Sequence, residues 1–427
     1  MSKTHLIYLD GSLDLRAGGP SGYLANLDYG LKQVQASPNI NIAIQSKSQT
    51  AKQKNALKRL AQSFKKSFAF FTKNSLIRHF YANHSTVYKN KLNDYYNWLN
   101  ELDSEIVDDK IFEKYRNVKT IHCHNLFDTV KVANTLKKLH IRDQVKILFT
   151  SHAPESVSIE VTNNLKSKGY SEDKLLKIKT LVAKVEEKAF AEADILIFPS
   201  IEAMDPYRET IPNFSSWIKN KDIRFIPTGT IGIRSNLSKQ EAKEKFQIPD
   251  NKKVFVYIGR HNSVKGYDVL CNVGPKILKR HEDCMFLIAG KADPNFPPPK
   301  NIDGWKELGW VNPAELLTVA DYLILPNKRT YFDLILLETL SMGVPIIASN
   351  TGGNISVHNV TPSVRLYGNS NQDLEASIEQ VIAMDENNLK QLRKEARQAY
   401  EKYYTAEAFA RNYQSLIHDI YVDYHLI

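Results

Sequence analysis

Two cations, Arg260 and Lys265, stand five positions apart just past the apolar run 254–258. Far downstream, residues 334–342 carry no Gly or Pro and end on Gly343-Val344-Pro345, the signature of a short helix with a stop, and Glu338 lies within it. A guanidinium fork and an ammonium converging on one point neutralise a diphosphate through charge-assisted hydrogen bonds. A carboxylate near a helix start accepts two vicinal ribose hydroxyls, while the unpaired first-turn amides at Leu334 and Ile335 face phosphate oxygens. Each feature has a plain alternative, solvated loop cations or a Glu favoured by the helix dipole. Together they describe a nucleoside diphosphate site.

Two further groups sit where such a site needs partners. Gly18-Gly19-Pro20-Ser21-Gly22 follows the first apolar run and precedes a helical stretch at 23–31, where glycine lets the backbone approach a phosphate or sugar closely. It matches neither a Gly-x-Gly-x-x-Gly fingerprint nor a Walker loop. His152 follows the run 147–150, at the strand end that borders a cleft in open α/β sheets, where an imidazole can bond a sugar hydroxyl or serve a structural role. His122 and His124 flank Cys123 and share one strand face, but a metal site needs a third ligand that the sequence does not supply, so they read as buried or hydrogen-bonded histidines. No Asp-x-Asp pair follows an apolar strand and no Gly-x-Ser-x-Gly elbow is present, so metal-assisted and acyl-transfer chemistry lose their usual anchors.

The elements that must position these residues are strands alternating with helices. Apolar runs at 6–9, 40–44, 120–123, 147–150, 195–198 and 223–226 read as one doubly wound parallel sheet, and a second series at 254–258, 285–289, 322–325 and 344–348 reads as another. The expected architecture is α/β, two Rossmann-like doubly wound domains facing a central cleft. The first domain covers 1–232 with a basic helical insertion at about 50–110, and the second covers 233–404. Residues 405–427 form a helix, apolar at Phe409, Tyr413, Leu416, Ile417 and Ile420, packing back on the first domain. At 427 residues the chain exceeds what a single core accommodates.

Composition places the chain in the cytoplasm. Three scattered cysteines form no disulfide framework, the N-terminus lacks a signal-peptide pattern, and no apolar run approaches the ~20 residues that span a bilayer. The net charge of +10 is local: no Asp or Glu occurs between Asp28 and Asp94, while twelve Lys and Arg do, so the remainder of the chain sums to −2 (10 − 12). Within that stretch Leu57, Leu60, Ala61, Phe64, Phe68 and Phe71 share a helical face and Lys58, Arg59, Lys65, Lys66 and Lys73 lie mostly elsewhere. Residues 52–91 therefore suit an anionic membrane surface and place the chain at the inner face of the cell membrane; the alternative is an insertion packed on the protein with a solvated basic face. Nucleic-acid binding lacks a reading motif and is not expected.

Over nearly the whole chain these residues resemble the family 4 glycosyltransferases, retaining enzymes of GT-B architecture. Gly259-Arg260 with Lys265-Gly266 looks like that family's diphosphate clamp, Leu308-Gly309-Trp310-Val311 like the turn whose backbone meets the base, and Glu338 like the second glutamate of its Glu-x7-Glu motif. The resemblance implies a donor site of Gly19, Arg260, Lys265, Trp310, Val311, Thr330, Asp333, Leu334, Ile335 and Glu338, with Arg260, Lys265 and His152 acting in catalysis. It implies sugar transfer with retention from a UDP- or GDP-linked donor to a hydroxyl of a glycan or lipid-linked glycan in cell-surface polysaccharide synthesis, with no metal or other cofactor. The departure from the family falls at the first glutamate, where Thr330 stands instead, and at Asp333, where glycine is common. Either the donor sugar is unusual, Asp333 or Arg329 substitutes, or the chain is a catalytically silent GT-B subunit that binds a glycan or a partner transferase. A sugar-nucleotide epimerase of the same fold is a further alternative.

Overall fold

A computed structural model describes residues 3–15, 19–37, 39–46, 86–115, 117–166 and 168–426. Its frame is two parallel six-stranded sheets. The first holds β1 (Lys3–Leu9), β2 (Ile40–Ser46), β3 (Val118–Cys123), β4 (Lys146–Phe149), β5 (Ile195–Phe198) and β6 (Asp222–Phe225), in the order β2-β1-β3-β4-β5-β6. The second holds β7 (Lys253–Ile258), β8 (Cys284–Ala289), β9 (Trp305–Gly309), β10 (Tyr322–Leu325), β11 (Ile346–Ser349) and β12 (Val364–Tyr367), in the order β12-β11-β10-β7-β8-β9. The strand order reverses between β1 and β3 in one sheet and between β7 and β10 in the other. Ligands of doubly wound sheets bind in the crevice beyond those strand ends.

The two doubly wound domains agree with the sequence reading. Strands β4, β5, β8, β10 and β11 are apolar and almost wholly buried, as parallel strands covered by helices on both faces must be. Two strands of the second sheet lie outside the sequence reading. β9 (Trp-Lys-Glu-Leu-Gly) and β12 (Val-Arg-Leu-Tyr) are the edges of the second sheet, and their polar residues meet solvent along the open side.

The final helix, Ala406–Asp423, lies on the first domain, where Phe409, Tyr413, Ile417 and Ile420 join Ile7, Leu24 and Leu27 of β1 and the helix Gly19–Gln33 in one core. The basic stretch proposed for a membrane surface falls largely on residues 47–85, outside the described residues. Of the expected insertion the structure describes the helices Thr86–Glu101 and Lys110–Lys114; Leu92 and Leu99 of the first pack into the core of the first domain beside Leu126 and Phe149. Among the described residues no helix is long and apolar enough to cross a membrane.

Candidate active site

Arg260 leaves the C-terminal end of β7, at the switch point of the second sheet. Its backbone is pinned by the buried Tyr257, whose hydroxyl donates to the Arg260 carbonyl at 2.7 Å, while its guanidinium is exposed and makes no ion pair among the described residues. Lys265 follows in a loop closed by Gly266, which caps the helix Tyr267–Arg280 with φ +65°. A Cβ there would lie 1.6 Å from the Pro326 carbonyl oxygen, so only glycine lets this loop meet the end of β10.

The other half of the site is loop 326–333 and the helix Leu334–Ser341 after it. Sequence reading pairs Lys265 with Arg260 on a diphosphate; in the fold its ammonium also meets a carboxylate. The Lys265 ammonium is 2.5 Å from Asp333 Oδ1, and the Asn327 amide donates to Asp333 Oδ2 at 2.7 Å. Burial pushes the Asp333 carboxyl up, but the Lys265 charge and the hydrogen bonds from Lys265 and Asn327 outweigh it and hold it below its usual value. Asp333 is also the residue before the helix, yet its side chain bonds none of that helix's amides. The first-turn amides at Leu334 and Ile335 therefore remain open to an anion.

The Glu338 carboxylate, one turn in, has no hydrogen bond or ion pair among the described residues, and burial raises it above the usual range. A half-buried carboxylate without partners carries a desolvation cost in a free protein, and a pair of ribose hydroxyls would relieve that cost. Thr330 is fully buried, its carbonyl packed on Gly352, where a Cβ would come within 1.8 Å of it. Trp310 projects from the turn after β9 with 80% of its surface exposed, and Val311 beside it rests on the core of the second domain. Gly309 before it has φ +65°.

Across the cleft, Gly19 is the first residue of the helix Gly19–Gln33, with φ +64°, and a Cβ there would meet nothing within 4 Å among the described residues. His152 follows β4 in the left-handed region, φ +61°, a conformation that costs a non-glycine residue about 1–3 kcal/mol and that clusters at functional sites. Its Nε2 lies 2.9 Å from His124 Nδ1, and its ring meets Tyr23 edge-on at 4.6 Å. Burial pushes His152 down to about 3, so it is a neutral imidazole at physiological pH.

Among the described residues no group of three or more His, Cys, Asp or Glu is arranged to hold an ion. His122 belongs to a hydrogen-bonded chain through the first sheet. The Thr150 hydroxyl donates to the Ile197 carbonyl at 2.9 Å, so it accepts from His122 Nε2 at 3.0 Å. His122 Nδ1 then accepts from the Tyr413 hydroxyl at 2.8 Å, whose oxygen accepts from His5 Nε2 at 2.8 Å. The acceptor role of His122 Nδ1 requires a neutral ring there, and burial holds both His5 and His122 below their ordinary value.

Arg329, which sequence reading offers only as a substitute for the missing glutamate, and Tyr331, which it leaves out of the site, join the two halves. Arg329 Nη1 donates to Glu155 Oε2 at 2.9 Å and Nε to Glu209 Oε2 at 3.3 Å, both in the first domain. Tyr331 is buried in the first domain's core, edge-on to Tyr207 at 6.1 Å and to His152 at 6.0 Å. The available signal was the departure itself: a bulky aromatic and two charges in a loop expected to face a sugar.

Comparison with known proteins bears on the fold and on the second domain's sequence. Residues 252–384 match the family described as Glycosyl transferases group 1. The D-inositol 3-phosphate glycosyltransferase of Corynebacterium aurimucosum is 26% identical over 162 residues, 34% of this chain and 38% of that protein. The N-acetyl-alpha-D-glucosaminyl L-malate synthase of Bacillus anthracis is 25% identical over 193 residues, 43% of this chain and 50% of that protein. The chain thus spans half or less of the length of these curated relatives. Sucrose-phosphate synthase of Thermosynechococcus elongatus has TM-score 0.61 at 17% identity, covering 99% of this chain and 100% of its own. Anabaena HepE in complex with UDP and glucose has TM-score 0.58 at 13% identity, covering 97% and 99%. At these identities the structural likeness is one of fold, the GT-B architecture.

Proposed function

We propose that this chain, a family 4-like glycosyltransferase of GT-B architecture, moves a sugar from a UDP- or GDP-linked donor to an acceptor hydroxyl with retention at the anomeric carbon. The observation that carries the reading is the open start of the helix Leu334–Ser341 at the second sheet's switch point, with the free Arg260 guanidinium in the neighbouring loop and the unpaired Glu338 one turn inside. The diphosphate would lie between Arg260 and the amides of Leu334 and Ile335, and Glu338 would take the ribose hydroxyls.

As the bond from the anomeric carbon to the diphosphate oxygen breaks, negative charge develops on the leaving group. Arg260, Lys265 and the helix amides are preorganised to stabilise it. The acceptor oxygen forms its bond on the same face, and its proton passes to the leaving phosphate, so no protein base and no metal is required. His152 contributes a neutral imidazole that holds a sugar hydroxyl. The acceptor hydroxyl belongs to a glycan or a lipid-linked glycan, brought to the inner membrane face by residues 52–91. Flotation with anionic vesicles tests that part, since charge reversal at Lys65, Lys66 and Lys73 should abolish recovery.

The central test is a panel of nucleotide sugars screened by thermal stabilisation, followed by nucleotide release and the anomeric configuration of the product, with and without EDTA. Stabilisation by one base, turnover unaffected by EDTA and a retained product support the reading. Binding without any turnover, including donor hydrolysis, would make the chain a silent GT-B subunit.

A further inference from the structure

Loop 326–333 carries the position where the related family keeps its sugar-side glutamate, and here it is held from four sides. Its start is fixed by Ser349, whose hydroxyl donates to the Asn327 carbonyl at 2.6 Å. Its end is fixed by Asp333, bound to Lys265 and Asn327. From behind, it lies on the glycine pair after β11. The Gly353 amide donates to the Tyr331 carbonyl at 3.1 Å, and a Cβ on Gly353 would fall 2.5 Å from the Phe332 ring. Both ends and the back belong to the second domain.

The fourth side belongs to the first domain. The Tyr331 ring sits among Phe198, Tyr207 and His152 with 6% of its surface exposed, and Phe332 packs against the cores of both domains at once. Beside it Arg329 reaches Glu155, whose side chain is only 3% exposed. Burial pushes the Glu155 carboxyl up and the Arg329 charge opposes this, so the carboxylate depends on a cation from the other domain. Removing the cation leaves the buried carboxylate uncompensated, and removing the carboxylate takes away the first domain's hold on Arg329.

We propose that Arg329 and Tyr331 are positioning residues: they lock the sugar-facing loop to the first domain before any donor binds, and that lock sets where Asp333 and the start of the helix Leu334–Ser341 meet the sugar. The catalytic half of this inference rests on the function proposed above, whereas the lock itself does not. Arg260, the amides of Leu334 and Ile335, and Glu338, the groups proposed to hold the diphosphate and ribose, all lie in the second domain. Breaking the lock therefore leaves nucleotide affinity alone and degrades only the step that needs both domains in register. A misplacement of about 1 Å at reacting groups is enough to cost on the order of 100-fold in rate.

The experiment uses the full chain as wild type, Arg329→Ala/Tyr331→Ala, Glu155→Gln and Tyr331→Phe. Small-angle scattering is measured without ligand, UDP and GDP affinities by calorimetry, and kcat and KM with whichever nucleotide sugar the wild type turns over. From a compact value of about 22 Å by size scaling, the radius of gyration should rise by about 1 Å or more in the double variant. Nucleotide affinity should stay within about twofold and kcat should fall on the order of 100-fold. Glu155→Gln should move in the same direction from the opposite face, and it decides the matter if the double variant does not fold. Tyr331→Phe should behave as wild type, because the Tyr331 hydroxyl makes only a long 3.5 Å contact to the Ile197 carbonyl. An unchanged radius in both Glu155→Gln and the double variant overturns the lock, as does a fall in kcat matched by an equal loss of nucleotide affinity. A wild type that binds neither UDP nor GDP overturns the function proposed above, and the scattering comparison still decides the lock.

Discussion

Asp333 stands where a glycine is common in the related family, and it changes the state of Lys265. With Asp333 Oδ1 on Lys265 and Oδ2 on Asn327, the carboxylate is satisfied only while the lysine is present. Lys265→Met should therefore cost about 2 kcal/mol in urea denaturation, a breaking penalty reduced because the ammonium is partly exposed. Lys265→Met/Asp333→Asn should recover most of it, and an additive double variant would show that the pair is not coupled. Glu338 presents the opposite case, a carboxylate with no partner. Its folded-state pKa is raised, so the charged form weakens the fold above that value and the loss disappears as the pH falls. Glu338→Gln should stabilise the free protein at neutral pH by about 1 kcal/mol and remove that pH dependence, while weakening UDP or GDP by about tenfold through a lost charge-assisted acceptor. A variant that binds nucleotide as well as the wild type would remove Glu338 from the ribose site. Arg260 and Glu338 were legible from residue type and spacing alone. The Lys265–Asp333 pair was not, because it joins residues 68 positions apart and depends on loop geometry that Gly266 permits.

At the scale of elements, the buried strands were legible because a parallel strand covered on both faces is a continuous apolar run. β9 and β12 were not, because an edge strand is wet along one side and its composition looks like a turn. The polar chain across the first sheet was hidden for a different reason: His5, His122 and Thr150 come from three neighbouring strand registers, and their link, Tyr413, lies on the last helix. That chain has a measurable consequence. Burial holds His5 and His152 down to about 3 and His122 and His124 well below their ordinary value. The unfolded chain takes up a proton at each below pH ~6.5, and the folded state does not. Stability is thus fully present above pH ~6.5 and is lost as the pH falls, at about 1.4 kcal/mol per pH unit for each histidine. The urea midpoint should be flat between pH 8 and 7 and drop steeply from 6.5 to 5.5. A flat profile down to pH 5 would mean that these rings accept protons in place.

The whole molecule is tied together where the chain crosses between domains. The outward crossing passes Gly229 and Thr230, and the return passes the π-helical turn Tyr400–Tyr404. The Thr230 amide donates to the Tyr404 carbonyl at 2.9 Å, and the Tyr400 hydroxyl donates to the Thr230 carbonyl at 2.7 Å. The returning chain then starts its last helix directly on the first domain. The spacing of Phe409, Tyr413, Ile417 and Ile420 gave away which face docks, but not how closely. Closeness is set by Gly30, where a Cβ would fall 2.0 Å from the Ala406 carbonyl oxygen and 2.9 Å from the Ala410 Cβ. Two effects compete when Gly30 becomes Ala. Helix propensity alone predicts a gain of about 1 kcal/mol inside Gly19–Gln33, whereas a methyl forced against a backbone carbonyl must push the final helix away, an overpacking cost of about 1–3 kcal/mol or more. A backbone oxygen at 2.0 Å cannot rotate aside as a side chain could, so packing should win. Gly30→Ala should lower stability by about 2 kcal/mol and the melting temperature by several degrees, while UDP or GDP affinity stays unchanged because the nucleotide groups lie in the other domain. A rise in melting temperature would mean that propensity governs this position and that the last helix docks less closely than its contact with Gly30 requires.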